Sequence, residues 1–91
     1  MEEKFLAALA TNRQRAETLG VRIRPIGDLT QAKRLLSGSR ASDGFGRLAD
    51  LGKLSLSLEA LVIDRRFTSL FTEDEANTAL ERLLGAGYSF Q

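Results

Sequence analysis

The sequence predicts an all-α fold, a compact bundle of about five short helices with an extended segment at residues 21–26. Three observations carry that expectation. Apolar residues recur at helical spacing along most of the chain. Two stretches begin with Asp or Thr followed three residues later by Gln or Glu, the signature of a capped helix start. With five Phe, one Tyr and no Trp, the core has to be built mainly from Leu and Ala, which suits helices. At 91 residues the chain is expected to form a single domain spanning 1–91, since one core usually occupies about 50–200 residues. The alternative is an α+β fold with a small two- or three-stranded sheet, because VRIRPI, LSLSL and GYSF all alternate apolar with polar residues.

The first helix is expected over residues 2–19. Phe5, Leu6, Leu9, Ala16 and Leu19 share one face, while residues 11–15 are polar all round, so burial is expected at the two ends only. Glu2 and Glu3 suit the positive end of the helix dipole, and Gly20 suits a left-handed stop. At residues 21–26 the period changes. Val21 and Ile23 alternate with Arg22 and Arg24, and Pro25 lacks an N–H and holds Arg24 extended, which predicts a linker or short edge strand.

Asp28 as N-cap places Gln31 at N3 and starts a second helix. Leu29, Ala32, Leu35 and Leu36 form its inner face, Lys33 and Arg34 point outward, and Gly38 ends it. Residues 37–46 hold three Gly and three Ser and read as a mobile connection. A third helix over residues 43–51 buries Phe45, Leu48 and Ala49 and stops at Gly52. Ser57 is preferred to Ser55 as the next N-cap, because only then do Leu56 and Leu61 stand as an apolar staple. That fourth helix runs to about Arg66, with Glu59 favouring its dipole. Phe67, Leu70 and Phe71 plug the core. Thr72 with Glu75 forms a capping box for the fifth helix, whose Ala76, Ala79, Leu80, Leu83 and Leu84 face inward before a stop at Gly85. Tyr88 and Phe90 are expected to fold back on the domain.

The chain contains no Cys and no His. That removes thiol chemistry, disulfides, nearly all zinc sites and the usual general base, so no enzyme, metal site or cofactor is expected. The 37–46 run does not match a phosphate-binding loop: no strand precedes it, and Gly46 is followed by Arg47. The acidic triplet Glu73, Asp74 and Glu75 is accounted for by the helix dipole. Residues 43–66 could imitate a helix-turn-helix, but its second helix would offer Ser57, Leu58, Glu59 and Ala60 to DNA, an acidic and apolar surface. No apolar run approaches membrane-spanning length, and MEEKFLAALA lacks the basic start of a signal peptide, so a cytoplasmic protein with no membrane partner is expected.

Net charge is +1, unevenly placed. Residues 1–50 carry nine Lys/Arg and six Asp/Glu, giving +3, and residues 51–91 carry four and six, giving −2. The basic character gathers in Arg13, Arg15, Arg22 and Arg24, with Arg40 in the glycine-serine loop. With no chemistry in view, the expected function is a small interaction module, a regulatory or accessory protein that binds another protein and has a homodimer within reach. The alternative is a nucleic-acid binder whose phosphate contacts are Arg13, Arg15, Arg22, Arg24 and Arg40.

Overall fold

A computed structural model of the chain describes residues 1–88; Phe90, expected to fold back, lies outside them. Five helices succeed one another: α1 (Glu2–Thr18), α2 (Leu29–Ser37), α3 (Phe45–Asp50), α4 (Leu58–Val62) and α5 (Glu73–Gly85). Single 3₁₀ turns, Leu54–Leu56 and Thr68–Leu70, precede α4 and α5. The fold is all-α, and among the described residues there is no strand. The VRIRPI segment runs without regular structure, and LSLSL is the lead-in to a helix rather than a strand. A single hydroxyl decides the latter: Ser57 donates to the Leu54 carbonyl at 2.7 Å and accepts the Ala60 N–H at 3.2 Å. It closes the turn behind it while capping the helix ahead, a contribution of about 1 kcal/mol for the cap.

The other starts are built as their residues dictate. Asp28 accepts the Gln31 N–H at 2.8 Å, although the Gln31 side chain reaches back to the Gly27 N–H, at 3.0 Å, rather than to Asp28. At Thr72 the box is complete: its hydroxyl accepts the Glu75 N–H at 3.1 Å, and Glu75 accepts the Thr72 N–H at 2.8 Å. Three helices end alike. The N–H groups of Val21, Lys53 and Tyr88 bond the carbonyls of Ala16, Leu48 and Leu83, each just past a glycine at positive φ (Gly20, Gly52 and Gly87).

Those three carbonyl residues meet in the core. Two apolar clusters divide the interior. The first joins Phe5, Leu36, Leu61, Val62, Phe67, Phe71 and Ala79, with Phe5 edge-on to Phe67 (centroids 5.4 Å) and to Phe71 (5.2 Å). The second joins Ala16, Val21, Leu48, Leu54 and Leu83. At about 1.5 Å per residue, α1 is roughly 25 Å long, close to the 29 Å longest extent of the molecule. It therefore spans the structure, giving Phe5 to one cluster and Ala16 to the other, with its polar middle between them.

Several expectations need correction. The fourth helix stops at Val62, not Arg66. Asp64 is the reason: its carboxylate accepts the Arg66 N–H at 2.9 Å and its carbonyl accepts the Phe67 N–H at 2.9 Å, a local turn that competes with the helix. The third helix starts at Phe45, and the last glycine stop is Gly87, because Gly85 is still helical. Leu19 and Leu84 are 41% and 55% exposed rather than buried; each lies at a helix end, beside the inward-facing position. Lys33 does not point outward. Its Nζ lies 2.7 Å from Glu75 Oε1 and over the Phe71 ring at 5.1 Å.

The Lys33–Glu75 pair makes stability depend on pH. Burial pushes the Glu75 carboxyl up, but the Lys33 hydrogen bond, the Thr72 N–H and the Lys33 charge outweigh it, so the group titrates below its ordinary value of 4.5. A carboxyl depressed on folding stabilises the fold fully above its unfolded value and loses that contribution as pH falls through the folded one. The urea midpoint is expected to drop between about pH 5 and 3, and Glu75→Gln is expected to flatten that part of the curve. An unchanged slope in the variant would show that the pair is not formed in solution.

Candidate binding groove

The middle of α1 runs past the place where the two clusters do not merge, and a pocket of about 180 Å³ opens there. Leu6, Leu9 and Ala10 of α1 form one wall. Ile23, Pro25 and Ile26, from the irregular segment after α1, form the opposite one. Leu35 of α2 and Leu56 and Leu58 at the start of α4 complete the lining. The polar residues at its margin are Arg13, Arg24, Gln31, Ser42 and Asp43. The pocket is thus an apolar cleft with guanidinium groups at its mouth.

Three contacts hold this shape. Arg13 Nε donates to the Ile23 carbonyl at 2.9 Å, tying the irregular segment to α1. The Arg24 N–H donates to Asp43 Oδ2 at 3.3 Å, tying the same segment to the loop before α3. Gly44, at φ +75°, then packs against the segment's side chains. A Cβ there would fall 2.7 Å from Val21 Cγ1 and 3.2 Å from Ile23 Cγ1. Gly44→Ala combines backbone strain with a clash and is expected to cost about 1–3 kcal/mol. Gly20→Ala, at φ +81° with nothing within 4 Å, should show only the conformational part, about 1 kcal/mol. Equal urea midpoints for the two variants would refute the close approach.

Beneath the groove lies a buried polar network that the sequence did not reveal. Glu59 is fully buried. Its carboxylate accepts the Ser42 N–H at 2.9 Å and the Ser42 hydroxyl at 2.6 Å. Arg82 of α5 lies 3.2 Å from the same carboxylate and also donates to the carbonyls of Leu35, Leu36 and Gly38 at the end of α2. One ion pair therefore joins α4 and α5, closes α2 and fixes Ser42 at the groove. Among the described residues no buried side-chain nitrogen or oxygen is left without a hydrogen bond, so the network is complete as a structural device. One feature of the sequence marks it: Glu59 is the one charge between Leu54 and Ile63.

The five arginines divide. Arg13, Arg22 and Arg24 line one shallow cleft with Glu17 and Asp43, continuous with the mouth of the groove. Arg15 and Arg40 line neither. Arg13 is about one-third exposed and pairs with Glu17 at 3.4 Å. Arg24 is 92% exposed, with Nε 3.7 Å from Asp43. Arg22 makes no ion pair among the described residues. Comparison with family models, with curated proteins and with solved structures found no match. The groove has to be read from its own chemistry.

That chemistry is narrow. Among the described residues no three carboxylates gather in reach of one metal ion, and Glu75 of the acidic triplet is engaged by Lys33 and Thr72. The second helix of the apparent helix-turn-helix, α4, buries Leu58, Glu59, Leu61 and Val62 and has no face to offer a DNA groove. No helix among the described residues is long and apolar enough to cross a membrane.

Proposed function

We propose that the chain is an interaction module that binds another protein by accepting one apolar side chain into the groove beside α1. The size of the pocket supports this reading. Small-molecule sites usually enclose about 300–1,000 Å³, whereas a dry cavity of about 150 Å³ takes a single benzene-sized group. At about 180 Å³ the apolar pocket itself matches one leucine or phenylalanine side chain, and the adjoining arginine cleft, about 900 Å³, is shallow and open to solvent. The irregular wall adds to it: among the described residues the amide of Ile23, which lines the pocket, has no backbone partner, leaving a main-chain group there for an incoming chain.

A capped hexapeptide with Leu-Phe at its centre and two glutamines on each side is the probe. Titrated into the ¹⁵N-labelled protein, it is expected to shift the amides of Ile23, Leu35 and Leu58. Ala10→Trp places a large ring at the mouth from an exposed position on α1 and is expected to abolish those shifts with little change in stability. Shifts that survive this substitution, or none in the parent, would count against the groove.

The convergence of Arg13, Arg22 and Arg24 favours a second reading, phosphate contact with nucleic acid. It requires an oligonucleotide affinity that falls steeply with salt; no binding at low salt ends it.

A further inference from the structure

We infer that the groove selects a protein segment in which the apolar anchor is flanked by carboxylates, Arg24 and Arg22 receiving them where Asp43 now stands in for one. This rests on the groove as the binding site proposed above and adds the charge of the partner.

Asp43 is the guide. Its Oδ2 takes the Arg24 N–H at 3.3 Å and lies 3.7 Å from Arg24 Nε, so a carboxylate already sits at the rim of the pocket on this arginine. The contact leaves most of the guanidinium free: the Arg24 side chain is 92% exposed, and a guanidinium carries five donors in a planar fork suited to a carboxylate. Arg22 stands beside it on the same cleft with no ion pair among the described residues. The cleft's other charges are Arg13, held by the Ile23 carbonyl and Glu17, and the two carboxylates Glu17 and Asp43. The available charge at the mouth is therefore cationic, next to an apolar floor.

A nucleic-acid backbone fits this surface less well. It would meet Glu17 and Asp43 between the arginines and leave the apolar pocket empty. A carboxylate-flanked leucine or phenylalanine fills the pocket and exchanges one carboxylate for another on Arg24. A second copy of the chain remains an outcome that the experiment detects.

The experiment compares three capped hexapeptides with the same Leu-Phe centre, flanked by glutamates, glutamines or lysines, titrated at low salt into the intact chain. The glutamate peptide is expected to bind about five-fold tighter than the glutamine peptide, and the lysine peptide weakest. The advantage should shrink as salt screens the rim. Arg22→Gln with Arg24→Gln, both at exposed positions, is expected to make the glutamate and glutamine peptides equal. Asp43→Asn keeps an acceptor for the Arg24 N–H and is expected to tighten the glutamate peptide about three-fold while leaving the glutamine peptide unchanged.

Equal binding of the glutamate and glutamine peptides in the parent overturns the charge selectivity and leaves the groove standing. Failure of all three overturns both. Shifts at the groove that depend on protein concentration alone would assign it to a second copy. An oligonucleotide that displaces the glutamate peptide and binds more tightly would assign it to nucleic acid. Either result overturns this inference.

Discussion

Glu59→Ala is expected to destabilise the fold by about 3–5 kcal/mol, the usual consequence of removing one member of a buried ion pair. At about 0.05–0.15 kcal/mol per residue a chain of this length has about 5–14 kcal/mol in all, so the loss is a large part of the total. The physical reason is what remains. Arg82 is only 12% exposed and would keep its contacts to the α2 carbonyls with no charge opposite. Ser42 would lose the acceptor for both its N–H and its hydroxyl. The urea midpoint followed by circular dichroism measures the effect. Glu59→Leu combined with Arg82→Met, which replaces the pair by apolar groups, is expected to recover much of it. A cost for Glu59→Ala under about 1 kcal/mol would mean that water reaches the pair in solution.

Phe5→Ala is expected to cost about 3–5 kcal/mol. Phe5 has no exposed surface and meets both Phe67 and Phe71 edge-on; each such ring contact is worth about 0.5–1.5 kcal/mol beyond its buried area. Phe5→Leu should lose the ring contacts and only part of the volume, and so fall between alanine and the parent in the same urea series. If leucine and alanine proved equally damaging, the edge-on geometry rather than the filled volume would be what α1 depends on.

Much of the fold was legible because its signals are local. Asp28, Ser57 and Thr72 cap their helices through hydrogen bonds that span three residues, and Gly20 and Gly52 stop theirs within one turn. LSLSL is ambiguous in sequence because period two alone cannot tell a strand from a turn that leads into a helix; the Ser57 cap resolves it. The errors have local causes as well. The sequence extends the fourth helix to Arg66 because Asp64 reads as helix surface until its carboxylate is seen on the Arg66 N–H, and the last helix runs through the expected stop at Gly85 to end before Gly87. What could not be read are pairings distant in sequence. Glu59 looked like a residue serving the dipole of its own helix, and its partners Ser42 and Arg82 lie 17 and 23 positions away. The groove is assembled from α1, the 21–26 segment, α2, the loop before α3 and the start of α4, so no single stretch announces it. The arginines stood out by composition, yet only tertiary placement separates Arg22 and Arg24 from Arg15 and Arg40.

The placement of Phe5 has a consequence for how the chain is made. α1 is synthesised before the partners it packs on: the rings that enclose Phe5 lie at positions 67 and 71, and Leu83, in the cluster that holds Ala16, comes later still. Closing such long intervals is slow compared with forming one helix. Until α5 has been synthesised, α1 has no complete surface to dock on, and a lone helix of this length is marginal in water. Its polar middle then acquires a second role. Residues 11–15, which separate the two buried ends in the finished fold, put five consecutive polar side chains on the segment while its partners are still to be made.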